Sequence, residues 1–154
     1  MSLIIYQQCT ALAIIVVLLI ATYYDCKDST IPIYLFPVFT AIIVPTSIIY
    51  GQPILIESMI GLLIGTVTFL GLAMFFDGGG ADIMMMGILG WCLGVHGIVT
   101  LILISSAIYT IFATGWLCYR AFIKKEKGSL RKQFPFAPFV LSGYIICLLF
   151  GWLL

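Results

Sequence analysis

Six long runs of apolar residues, separated by short polar or glycine-rich breaks, organise the sequence. An apolar helix of about 20 residues matches the hydrocarbon thickness of a bilayer. The pattern therefore predicts an all-α integral membrane protein with six transmembrane helices, formed as one domain over residues 1–154 with no soluble domain. The predicted spans are about 4–24, 33–50, 54–76, 81–95, 97–119 and 136–154.

The breaks between these runs have the composition of turns and loops. Pro32 is expected to start the second helix, a position where proline is well tolerated. The first run lacks a basic segment before it and a cleavage signal after it, so it is interpreted as a retained span. In chain order the breaks read DCKDSTIP, GQP, DGGGAD, GVHG and RAFIKKEKGSLRKQFP.

Composition supports the membrane class and excludes others. Hydrophobic residues make up 63% of the chain and charged residues 8%. No basic stripe interleaved with aromatic residues occurs, so nucleic-acid binding is set aside. The five cysteines have no C-x-x-C spacing and are interpreted as small buried hydrophobic residues, and His96 is a lone histidine, so no metal site or cofactor is expected. The cysteines are Cys9, Cys26, Cys92, Cys118 and Cys147.

The basic residues predict the orientation in the cell membrane. Six of the seven lie after predicted helix 5, and the seventh, Lys27, lies after helix 1. Basic loops favour the cytoplasmic side, so both loops are expected there and both termini outside. The same topology places Asp25 and Asp82 at the cytoplasmic face, whereas Glu57 falls near the outer end of helix 3. The remaining aspartates, Asp28 and Asp77, are interpreted as solvated loop residues.

Three stretches resemble one known family. The stretch DCKDSTIP and the stretch GGAD, residues 79–82, resemble the two aspartate motifs of the type IV prepilin peptidases, the GxGD membrane aspartic proteases that include preflagellin peptidases. FPFAPFVLSG, residues 134–143, is similar to the entry to the last helix of that family. The resemblance covers nearly the whole chain, and its two aspartates are 57 residues apart. The first stretch matches at Asp25, Lys27, Ile31 and Pro32.

The chain also departs from the pattern of that family. Met84 stands where lysine is common, and Ala81 replaces the second glycine of the motif. The cysteine-bearing cytoplasmic insertion of the large bacterial enzymes is absent. The resemblance is therefore to a short form with peptidase activity alone.

The resemblance implies an aspartic endopeptidase with Asp25 and Asp82 as its catalytic residues. Its partner would be a prepilin-like or preflagellin-like protein, of the kind used in type IV pili and secretion, whose short basic leader is removed at the cytoplasmic face. Lys27, Gly79 and Gly80 would contact the substrate or support the loop, and no cofactor or metal is implied. The three glycines at 78–80 also fit a simple flexible turn.

Helix ends suggest the roles of the two aspartates. Asp82 opens helix 4, where the positive end of the helix dipole favours a carboxylate, and Asp25 closes helix 1, where the negative end favours the protonated form. This hypothesis makes Asp82 the base and Asp25 the acid.

Two other functions stay open at this stage. A small proton-coupled transporter would use an intramembrane acid, and Glu57 is the natural residue for that role. A catalytically inactive assembly factor would need neither aspartate. The G-x-x-x-G pairs Gly61/Gly65 and Gly90/Gly94 predict close helix packing.

Overall fold

The computed structural model describes residues 3–28, 30–50, 52–76, 79–119 and 135–151, which are helical with no strand among them. The all-α prediction is confirmed for this part of the chain. Its five helices are α1 (Leu3–Asp28), α2 (Leu35–Tyr50), α3 (Gln52–Phe76), α4 (Gly80–Tyr119) and α5 (Ala137–Leu149).

Three of the helices are long and apolar enough to cross a membrane. The qualifying segments are Gln8–Lys27, Leu55–Met74 and the 40-residue α4. Leu35–Pro45 and Ala137–Leu149 are shorter apolar helices. Many large apolar side chains point outward from these helices, including Leu12, Leu63 and Leu103. Apolar helices with apolar outer faces are suited to lipid, so the protein is membrane-embedded.

Three helix boundaries differ from the predicted ones for local reasons. α1 continues past Asp25 to Asp28, since no proline interrupts it before Pro32. Pro32 does not start α2, because a two-residue turn follows it and its carbonyl accepts the N–H of Leu35 at 3.1 Å. α5 ends at Leu149, and Gly151 soon after it adopts a left-handed φ of 66° that stops a helix.

Predicted helices 4 and 5 follow one another without a loop as α4, joined across a kink at one residue, so six separate helices are not supported within the described residues. Gly94, in the GVHG break, is the residue with non-helical backbone inside α4, with φ 66° and ψ −169°. This conformation is open to glycine and strained for other residues. The break contains no proline, and helical hydrogen bonding resumes directly on both sides of the one glycine.

The first part of α4 packs antiparallel to α3. Gly65 meets the backbone of Met86, Gly61 meets the backbone of Gly90, and Glu57 lies against Gly94. At successive contacts the residue number increases along α4 and decreases along α3, so the two helices are antiparallel. Gly94 therefore lies beside the beginning of α3.

Beyond Gly94 the chain returns toward the other end of α3. The ring of Phe136 packs on Phe69 of α3, with 5.2 Å between ring centroids, and on Tyr109 of α4, at 5.8 Å. A straight α4 would carry Tyr109 about 35 Å beyond Met86, away from Phe69. α4 therefore reverses direction at Gly94 and consists of two antiparallel arms, residues 80–93 and 95–119.

Backbone-to-backbone contact between α3 and the first arm requires glycine. A Cβ on Gly61 would collide with the carbonyl oxygen of Gly90, and a Cβ on Gly90 would collide with the carbonyl oxygen of Gly61. A Cβ on Gly65 would collide in the same way with the carbonyl of Met86. The packing role predicted for the G-x-x-x-G pairs is confirmed.

The core lies where α1, both arms of α4 and α5 meet. Its largest members are almost fully enclosed, and α5 contributes one continuous buried face. The central residues are Ile14, Leu18, Phe36, Met85, Met86, Ile98, Leu101, Val140 and Tyr144.

The cysteine prediction holds for one residue and is wrong for three. Cys147 is buried and Cys92 half-buried, but Cys9, Cys26 and Cys118 are exposed. In a membrane helix an apolar side chain faces lipid as readily as protein, so hydrophobic character alone does not identify the interior.

We expect Gly61→Ala to destabilise the protein by about 1–3 kcal/mol, because its methyl group would force α3 and α4 apart. Thermal unfolding in detergent measures the change. Gly71→Ala on the same helix is the control, since a Cβ there meets no atom within 4 Å; it should be neutral or stabilising by up to about 1 kcal/mol. Equal effects of the two variants would contradict the close packing.

Candidate active site

Asp25 is a buried carboxylate in the last turns of α1. The residue is 8% exposed, and its Oδ2 accepts a hydrogen bond from the backbone N–H of Ala137, the first residue of α5, at 2.9 Å. The two residues are 112 positions apart in the chain. This bond joins the first helix of the protein to the last.

The first turn of α5 explains why this bond forms. Phe139 and Val140 donate their N–H groups to the carbonyl of Phe136, at 3.0 and 3.3 Å, and Pro138 has no N–H to donate. Phe136, the N-cap residue, supplies no side-chain cap. Ala137 is left with an N–H that helix geometry does not satisfy, and the Asp25 carboxylate satisfies it.

An aromatic cluster fixes the start of α5 at this point. Phe136 contacts Phe69 and Tyr109, and Phe139 contacts Tyr109 and Phe112 with ring centroids 5.3 Å apart in both pairs. The cluster joins α3, the second arm of α4 and α5. It therefore fixes the start of α5, and with it Ala137, relative to α3 and α4.

Asp82 lies in the first turn of α4, as predicted. Its N–H donates to the carbonyl of Gly79 at 3.1 Å, and its side chain is half-buried. The carboxylate folds back over Gly79, because a Cβ placed there would lie 3.4 Å from Asp82 Oδ2. A Cβ on Gly80 would meet nothing within 4 Å.

The structure brings Asp25 and Asp82 together at one end of the bundle. Each carboxylate lies within electrostatic range of the other, and their negative charges repel. The sequence prediction that both residues occupy one face is consistent with this arrangement.

Lys27 points elsewhere. It is exposed, and its ammonium nitrogen lies 5.8 Å from the centre of the Tyr23 ring, one turn earlier on α1. In the described residues its contact is thus with an aromatic face and not with the Asp25 carboxylate. Met84 is exposed beside Asp82, whereas Met85 and Met86 are core residues.

The remaining candidate residues lie apart from the pair or outside the described residues. Glu57 is exposed and lies against Gly94, where α4 reverses, at the opposite end of α3. Asp77, Gly78 and the basic residues at 120–134 are outside the described residues, and so is the side chain of Asp28. His96 is exposed near Gly94, and no group of three or more metal-ligating side chains occurs within the described ranges.

Sequence reasoning missed the backbone N–H of Ala137. A main-chain donor has no residue-type signature, but Pro138 was an available signal of a helix start, where the first N–H groups lack helical partners and a side chain can accept from them.

We expect Asp25→Ala to destabilise the protein by about 1–3 kcal/mol, since it leaves the N–H of Ala137 buried and unpaired. Asp25→Asn retains a side-chain oxygen that can accept this bond, so it should cost less. Asp82→Asn removes the charge repulsion with Asp25, and within the described residues the Asp82 carboxylate makes no hydrogen bond to another helix. This variant should therefore be at least as stable as the wild type. Thermal unfolding in detergent gives all three values, and equal stabilities for the Ala and Asn variants of Asp25 would argue against the capping role.

No protein-family model matches the chain, and no curated protein or solved structure matches it. A functional assignment therefore depends on the geometry of the two carboxyl groups and on the motifs around them.

Proposed function

We propose that this protein is a membrane aspartic endopeptidase whose catalytic pair is Asp25 and Asp82. The observation that carries the proposal is that two acids 57 residues apart, on α1 and α4, lie within electrostatic range of each other at one end of an apolar helix bundle. Nearby carboxylates repel, and no lysine or arginine contact is described that would compensate for the repulsion. Acids arranged in this way are expected at catalytic sites more often than in a framework that serves stability alone.

The two carboxyl groups are sufficient for hydrolysis of a peptide bond. The ionised carboxylate takes a proton from a water molecule, and the water oxygen bonds to the carbonyl carbon of the substrate. The protonated partner meanwhile donates its proton to the carbonyl oxygen. Collapse of the tetrahedral intermediate breaks the C–N bond: the leaving nitrogen receives the proton taken from water, and one hydroxyl group of the intermediate returns its proton to the partner carboxylate.

The substrate class follows from the resemblance and from the position of the pair. A prepilin-like or preflagellin-like protein has a short basic leader followed by a hydrophobic helix, and the bond between them would lie at a membrane surface. Asp25 and Asp82 lie at helix ends, where such a bond could reach them. Met84, exposed in the same first turn of α4 as Asp82, adds apolar surface at this end of the bundle.

The proposed topology has six membrane crossings, with the two arms of α4 counted separately. The reversal at Gly94 supports it, because the arms run antiparallel beside α3 and α5. The excess of basic residues after α4 and at Lys27 would place the aspartate end at the cytoplasmic face and both termini outside.

The alternative is a small proton-coupled transporter that uses Glu57. Transport sites of this kind lie near the middle of the membrane. Glu57 is exposed at the end of α3 opposite to the aspartate pair, beside Gly94. A noncatalytic assembly factor would need neither acid.

Cleavage of a co-expressed prepilin-type substrate, followed as a mobility shift, tests the proposal. We expect Asp25→Asn and Asp82→Asn each to reduce the cleavage rate by about 100-fold or more, because general acid or base catalysis contributes at least a factor of that size to the rate. Both variants should still be present in the membrane at wild-type levels.

Glu57→Gln is the matched control, since it neutralises an acid at the other end of the bundle. It should cleave at the wild-type rate. Cleavage that survives in either aspartate variant would overturn the catalytic pair, and a loss confined to Glu57→Gln would favour the transporter.

Gly79 and Gly80 allow a finer test of the site. We expect Gly79→Ala to slow cleavage by about 10-fold or more, because its methyl group would lie in van der Waals contact with Oδ2 of Asp82, at 3.4 Å, and would restrict the movement of this carboxylate toward the substrate, and small displacements of a catalytic group have large effects on rate. Gly80→Ala adds a methyl group in open space and should cleave nearly as fast as the wild type. The reverse order would mean that Gly80, and not Gly79, accommodates the substrate.

A further inference from the structure

We propose that the N-terminus of α5 holds Asp25 as the ionised member of the pair, so that Asp25 is the general base and Asp82 the general acid. The peptide N–H of Ala137 is then a positioning group for catalysis. The inference rests on the proposed peptidase function. It reverses the roles suggested by the helix ends in the sequence.

The hydrogen bond itself discriminates between the two protonation states of Asp25. A backbone N–H donates to a carboxylate oxygen, and such charge-assisted bonds are about twice as strong as bonds between neutral groups. The bond is buried, with Asp25 8% exposed and Ala137 fully enclosed. Little water is available to replace it, so the ionised form of Asp25 gains more from α5 than the protonated form does.

The dipole of α5 acts in the same direction. Ala137 is the first residue of that helix, and the partial positive charge of the N-terminus is concentrated on N–H groups that lack a helical partner. In the first turn of α5 the N–H groups of Phe139 and Val140 are paired with Phe136. The N–H that remains is the one directed at Asp25.

Asp82 has a different environment. It also lies near a helix N-terminus, but the hydrogen bond described for it is made by its own backbone N–H to Gly79, not by its carboxylate. Its side chain is half-buried and faces the charge of Asp25. Since Asp25 is stabilised as the anion by a direct bond, the proton that the proposed mechanism requires on one of the two carboxyl groups belongs on Asp82.

The bond also orients the base. Oδ2 of Asp25 is held by Ala137, which fixes the plane of the carboxyl group and leaves Oδ1 to take the proton from water. Asp82, protonated and more exposed, is the group that donates to the substrate carbonyl.

Replacement of Ala137 by lactic acid, introduced through nonsense suppression, tests the positioning role. This ester removes the N–H and retains the methyl group. We expect kcat to fall by about 10-fold or more while KM changes little, because the base loses its orientation and substrate contacts remain. The matched control is phenyllactic acid at Phe139, which deletes the N–H bonded to Phe136 at 3.0 Å and should leave kcat near the wild-type value.

Infrared difference spectra with ¹³C-labelled aspartate test the protonation states. At the pH of maximal activity, Asp25→Asn should remove an ionised carboxylate band and Asp82→Asn a protonated carboxylic acid band. The ester at 137 should shift the carboxylate band that Asp25→Asn removes. An acid band that disappears with Asp25→Asn would overturn the assignment.

The two proposals fail in different ways. Wild-type protein that does not cleave a prepilin-type substrate counts against the peptidase function. The role of Ala137 alone is contradicted if the wild-type protein cleaves the substrate but the ester at 137 has the same kcat as the ester at 139. In that case the ester at 137 would also leave the carboxylate band unshifted.

Discussion

The hydrogen bond between the Asp25 carboxylate and the Ala137 N–H is the interaction on which the arrangement of this protein depends. An unpaired peptide group inside a membrane protein costs several kcal/mol, since no water replaces the missing partner. α5 begins with such a group, because the N–H of the first residue of a helix has no partner within the helix. Satisfying it requires α1, at the other end of the chain, to lie against α5. Closure of the bundle and placement of Asp25 in the site are thus one event.

The position of Asp82 depends on a second constraint, the glycine contact between α3 and α4. Gly61 and Gly90 allow the backbones of α3 and α4 to touch. This contact fixes the position of α4 along the axis of α3, and so the position of the first turn of α4 in the bundle. The outcome is a pair of carboxylates that repel. Close packing of glycines and a buried hydrogen bond therefore support a local arrangement that is unfavourable in itself, which is the usual relation between a framework and a catalytic site.

Parts of this arrangement could be predicted from sequence because they depend on local patterns. Apolar runs marked the helices, the glycine break marked the start of α4, and the spacing of helix ends placed Asp25 and Asp82 on one side. A break in the GVHG stretch was predictable, but the sequence does not show that a single glycine with φ 66° reverses the chain without a loop between the two arms. The exposure of Cys9, Cys26 and Cys118 was missed, since lipid and protein interior accept the same side chains. The partner of Asp25 was missed because it is a main-chain group 112 residues away.

The exposures of the two acids fit unequal roles in the proposed reaction. Asp25 is enclosed between α1 and α5, where its orientation is fixed and its charge is compensated by a peptide dipole. Asp82 stands at the edge, next to Gly79 and Gly80, both of which are exposed. A substrate that arrives as an extended segment ahead of a hydrophobic helix would come from the open side, so its carbonyl oxygen would meet Asp82 first. Water would then lie between the substrate and Asp25, the position from which a base removes a proton. The helix dipole of α4 alone favours the opposite roles, but its effect on a half-exposed residue is weaker than a direct, buried hydrogen bond.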